Sequence, residues 1–69
     1  MKKYETFEQN TVGYEDEDGV QYKIEKEFNA NVYSVYKQIE NAYIFEGKTK
    51  ARSYLQALFN IIKEKKYLS

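Results

Sequence analysis

Residues 20–28 read VQYKIEKEF, with Val20, Tyr22, Ile24 and Phe28 on one parity and Gln21, Lys23, Glu25 and Glu27 on the other. Successive side chains of a strand point to opposite faces, so this alternation predicts a half-buried strand with one wet side. Further on the period changes. Ala51, Tyr54, Leu55, Leu58, Ile61 and Ile62 recur at helical spacing, the apolar stripe of an amphipathic helix. A chain that carries the strand period first and the helix period last is confined to the α+β class, a small antiparallel β-sheet packed against one C-terminal helix.

Other elements follow from turn and cap chemistry. The run Glu15-Asp16-Glu17-Asp18-Gly19 fits a turn, since Asp side chains bond nearby backbone groups and glycine supplies a positive φ. Residues 5–28 then form a β-hairpin. Thr49 stands where it can cap a helix over residues 49–67, and Lys63, Lys65 and Lys66 suit the negative end of that helix's dipole. Residues 31–46 read both ways. Val32, Val35, Tyr36, Ile39, Ala42 and Tyr43 would line one face of a helix, giving a β-hairpin followed by two helices. Yet Val, Tyr, Ile and Phe favour strands, and Asn29-Ala30-Asn31 and Glu40-Asn41 read as turns, so strands are the expectation. No linker or repeat divides the chain, and residues 1–69 form a single domain.

A domain this small buries only about 60% of the surface its unfolded chain exposes. With no Cys and no His, neither disulfides nor the usual zinc ligands can support it. Packing or self-association has to do so. The same inventory disfavours catalysis, because a general base would have to be a strongly shifted Glu, Asp, Lys or Tyr, and the expectation is a non-enzyme without cofactor. No apolar run approaches the about 18 residues of a membrane span, nor does an apolar segment follow Lys2 and Lys3 as in a leader. A cytoplasmic protein without a membrane partner is therefore expected.

Two stretches approach known ligand loops. Residues 14–25, YEDEDGVQYKIE, place Asp16, Asp18, Gly19 and Glu25 on the calcium-loop pattern, with Tyr14 where the first Asp belongs. The missing ligand, and a strand where a helix should follow, favour a solvated acidic turn over a metal site. Residues 42–49, AYIFEGKT, fall one glycine short of the phosphate-binding loop. Tyr43, Ile44, Phe45 and Glu46 suit a strand better than a loop wrapped around phosphate.

The charges divide along the chain. Residues 1–46 hold ten acids against five lysines, and residues 47–69 hold six bases against Glu64. Such asymmetry can mark an interaction surface. Eight tyrosines and four phenylalanines supply core and rim, with some left over for contacts. Tyr33 and Tyr43 are expected on the sheet face away from the helix.

The strand-rich start, the F-E-G-K-T-K turn at residues 45–50 and a basic helix resemble the small arm-type DNA-binding domains of integrases. The likeness covers the last third of the chain and carries over no base-reading residue. Lys, Asn, Ile, Tyr and Phe make up 32 of the 69 residues, and their AT-rich codons suit a bacteriophage or mobile-element accessory protein.

The leading expectation is an interaction protein that inhibits or modulates a host macromolecule. Its partner would be a protein, met by Glu15, Asp16, Glu17, Asp18, Tyr33 and Tyr43. The alternative is nucleic-acid binding through Lys48, Lys50, Arg52, Lys63, Lys65 and Lys66. A second copy of the chain is the third candidate partner, as a homo-oligomer.

Overall fold

The computed structural model describes residues 1–68. Among these residues strands β1 (Lys2–Glu5), β2 (Thr11–Glu15), β3 (Gln21–Lys26), β4 (Val32–Ile39) and β5 (Ala42–Lys50) precede a single helix, α1 (Tyr54–Ile62). The five strands form one antiparallel sheet in chain order, a meander. The class is α+β, as the two periodicities imply.

Register explains which residues meet the helix. Val12 and Tyr14 stand opposite Ile24 and Tyr22, and Ile24 stands opposite Val35, so these side chains share one face. Directly opposed residues point the same way. Tyr33, two residues before Val35, joins them, and Ala57, Leu58 and Ile61 of α1 close the core from above. The Tyr54 ring meets Tyr33 edge-on, with centroids 5.2 Å apart.

Residues 31–46 are the two strands β4 and β5. Glu40, at φ 57°, and Asn41 join Ile39 to its partner Ala42. The helical spacing over this stretch is coincidental. Val35, Ile39 and Ala42 lie on the helix side of the sheet, and Val32, Tyr36 and Tyr43 lie on the other.

The helix starts later than Thr49. Thr49 belongs to β5, is buried opposite Tyr33, and its hydroxyl accepts a hydrogen bond from Asn60 Nδ2 at 3.2 Å. Pairing along β5 through Lys50 delays the helix, and Ser53 caps it, its hydroxyl accepting the Gln56 N–H at 3.1 Å. At the other end α1 stops at Ile62. The tail then returns to β5, where the Leu68 N–H donates to the Lys48 carbonyl at 2.7 Å. Near this point β5 carries a bulge. Gly47 follows it at φ 153°, with Tyr67 and Ile61 packed where a Cβ would project. Phe28, by contrast, lies beyond the end of β3 and is largely exposed. The alternation ends two residues before it, where Glu27 begins the turn into β4.

Candidate functional site

The acidic turn is built from its first aspartate. Asp16 Oδ1 accepts the backbone N–H groups of Asp18 and Val20, each at 2.9 Å, and Gly19 supplies φ 80°. Asp16 thus organises the loop by bonding its own backbone. Glu17 and Asp18 project into solvent. Glu15, still in β2 opposite Gln21, shares a face with Gly13, on the side away from the helix. The four acids therefore do not act as one surface. Glu25 also lies on that far side, opposite Ser34 and Thr11, so the calcium-loop spacing does not converge in space. Among the described residues no group of three or more acids is placed to hold a metal ion.

Next to this turn lies a cavity of about 400 Å³. Asp16, Glu17 and Asp18 form one wall, and Tyr22, Leu58, Phe59 and Ile62 give it an apolar lining, completed by Met1 and Lys63. Tyr22 ties the two parts together, its hydroxyl donating to Asp16 Oδ2 at 3.4 Å. Burial, and secondarily the Asp16 carboxylate, push the Tyr22 hydroxyl's pKa up, so this donor stays protonated at neutral pH. The helix residues lining the groove come from the last half of α1, the negative end of its dipole. Carboxylates and helix end both favour a cation. Lys63 already behaves as one here, its ammonium 5.1 Å from the Phe59 ring centroid.

The opposite face of the sheet holds a second cluster. The Tyr4 ring of β1 packs over Gly13, and its hydroxyl donates to Gln21 Oε1 at 3.4 Å. Tyr43 reaches in from the other edge strand until its hydroxyl stands 3.5 Å from that of Tyr4. Lys23 sits between them, 4.8 Å from the Tyr43 ring and 5.5 Å from Tyr36, and bonds Glu8 at 2.9 Å. Phe45 meets Tyr36 edge-on at 5.6 Å. Burial, then the Tyr43 hydroxyl, push the Tyr4 pKa up to about 12.

Of the two tyrosines expected here, Tyr43 is present and Tyr33 is not. Tyr33 is only 3% exposed, beneath α1, because it shares parity with Val35. The competing helical spacing masks the strand alternation of residues 33–37. Tyr4, Tyr36, Phe45 and Lys23 have no motif that marks them as a cluster, although Lys23 stands on the polar parity of β3.

The six bases do not form a basic helix, since α1 reads YLQALFNII. Lys48 and Lys50 belong to β5, and Lys48 pairs with Glu27 at 2.6 Å. Hydrogen bonding to Glu27 raises the Lys48 pKa. Arg52 precedes the helix, Lys63 caps its end, and Lys65 and Lys66 follow it. The phosphate-loop stretch is likewise a strand, with Gly47 and Thr49 both buried. No family model, curated protein or solved structure matches the chain.

Proposed function

We propose that this is a small non-enzymatic interaction protein that engages a basic, partly apolar segment of another protein through the groove beside its acidic turn. The observation carrying this reading is the pairing of an apolar lining with three carboxylates and a helix C-terminus around one cavity of about 400 Å³. An arginine or lysine side chain has both features the groove offers to match, an apolar stem and a cationic head. Such a contact favours fast, charge-steered capture of a basic surface. It suits an inhibitor or modulator acting by occupancy in the cytoplasm, and the AT-rich composition suits a bacteriophage or mobile-element source. Among the described residues no helix is long and apolar enough to cross a membrane.

The test is an NMR titration of the labelled protein with an alternating Arg-Leu peptide and, separately, with a single-stranded oligonucleotide. The expected result is peptide-induced shifts at Asp18, Tyr22, Phe59 and Ile62, abolished by Glu17→Ser with Asp18→Asn. Asp16 is spared because its side chain holds the turn. Shifts produced only by the oligonucleotide and centred on Tyr36, Tyr43, Lys48 and Lys50 would replace this reading with nucleic-acid stacking on the open face.

A further inference from the structure

The sheet's two edges are unlike. The β1 edge is four residues long and carries Lys2, Lys3 and Glu5, the charged, short edge that resists pairing with other chains. The β5 edge has no such protection over residues 42–45, Ala-Tyr-Ile-Phe. Ile44 is 45% exposed and Phe45 53%, on opposite faces of the strand. Among the described residues the chain's own tail hydrogen-bonds this edge only at Lys48, through Leu68. We propose that residues 42–46 of β5 pair antiparallel with the same residues of a second copy, joining two sheets into one across a two-fold axis at Ile44.

The register follows from face and charge. A two-fold axis perpendicular to the sheet keeps like faces together, so it passes through one residue and its counterpart. At Ile44 it sets Ile44 against Ile44 on the helix side and two Tyr43–Phe45 pairs on the open side, the aromatic pairing that strengthens strand ladders. Only Glu46 meets Ala42 at the ends, and no like charges face one another. Centring on Phe45 instead would oppose Ile44 to Glu46. Centring on Tyr43 would oppose Phe45 to Asn41. The segment is also bounded, because the bulge at Glu46, which no β4 residue opposes, and the occupied Lys48 carbonyl stop the ladder beyond it. A bounded ladder closes as a dimer, since the charged β1 edge offers nothing to propagate it.

Sedimentation equilibrium of the full chain over rising concentration is the first measurement. The mass should climb from 8.3 kDa towards twice that value, and Ile44→Lys, which opposes two ammonium groups across the axis, should hold it at the monomer with unchanged circular dichroism. Because the chain has no cysteine, Ile44→Cys reads the register directly. Directly opposed Cβ atoms lie within disulfide reach, so mild oxidation should link Ile44→Cys chains and leave Phe45→Cys chains unlinked. A monomer mass at every concentration, including one caused by a different protein strand being the natural occupant, overturns the proposal. So does a dimer that survives Ile44→Lys, or one linked preferentially through Phe45→Cys.

Discussion

Tyr14, Tyr22 and Tyr33 lie beneath α1, whereas Tyr4, Tyr36 and Tyr43 lie on the face that no helix covers, and the same side chain serves the two faces differently. Under the helix the rings interlock with Ile24, Val35, Leu58 and Ile61 and exclude water. On the other face they lie around Lys23 with one side wet, and Tyr4 and Tyr43 roof the sheet from its two edges. On this face long aromatic side chains give the sheet a partial cover. Packing closure, rather than aromatic content, distinguishes core from roof, and substitutions should separate the two.

The largest separation is expected between Leu58→Ala and Phe45→Ala. Leu58 is 1% exposed, and emptying such a site costs about 2–5 kcal/mol, enough to unfold much of a domain this small. Phe45 leaves half its surface in water already, so its loss should cost about 1 kcal/mol or less. Urea denaturation of the two variants reads both. Equal costs would show that the open cluster is a second core.

The two glycines under aromatic rings give the next contrast. Gly47→Ala places a Cβ 2.7 Å from the Tyr67 ring at a φ that side chains rarely adopt, a strain of about 1–3 kcal/mol. Gly13→Ala also collides with a ring, that of Tyr4, but its φ is ordinary and Tyr4 can swing towards solvent. A cost near 1 kcal/mol is expected there, read as a small drop in urea midpoint, and the swing should carry the Tyr4 hydroxyl away from that of Tyr43. If Gly13→Ala proves the costlier change, the Tyr4 roof is far more rigid than its exposure implies.

Parity makes the covered face legible from the sequence, because Tyr22 and Ile24 alternate with Lys23 and Glu25, and helical spacing picks out Leu58 and Ile61. The boundary of α1 is less legible. Thr49 has the chemistry of a cap, but its partner Tyr33 lies 16 positions away in sequence, and only that pairing keeps it in β5. The open-face cluster depends on four separate strands meeting, which local patterns do not encode. The groove shows the same limit. The acids of residues 16–18 are evident as a run, whereas Phe59 and Ile62 become their neighbours only when the helix folds back over β3.

The smallest effect expected is also the most specific to the open face. Burial, and then the Tyr43 hydroxyl, push the Tyr4 pKa up to about 12, whereas an unfolded tyrosine ionises near 10. Between those values the unfolded chain has released a proton that the folded chain still holds, so each rise in pH favours unfolding. The stabilisation from keeping Tyr4 neutral is complete below pH about 10 and gone above about 12. Burial raises the pKa of Tyr14, Tyr22 and Tyr33 as well, so the covered face contributes its own alkaline loss. Tyr4→Phe keeps the ring over Gly13 and removes only the ionisable group. At neutral pH it should therefore change stability by about 0.5 kcal/mol or less, since the two hydrogen bonds it removes are long and half-exposed. Across the alkaline window its urea midpoint should fall less steeply than that of the unsubstituted protein, and Tyr43→Phe, which leaves the burial cause in place, should lie between the two. Parallel curves for all three would assign the whole alkaline loss to the covered face and leave the Tyr4–Tyr43 pair without a role in stability.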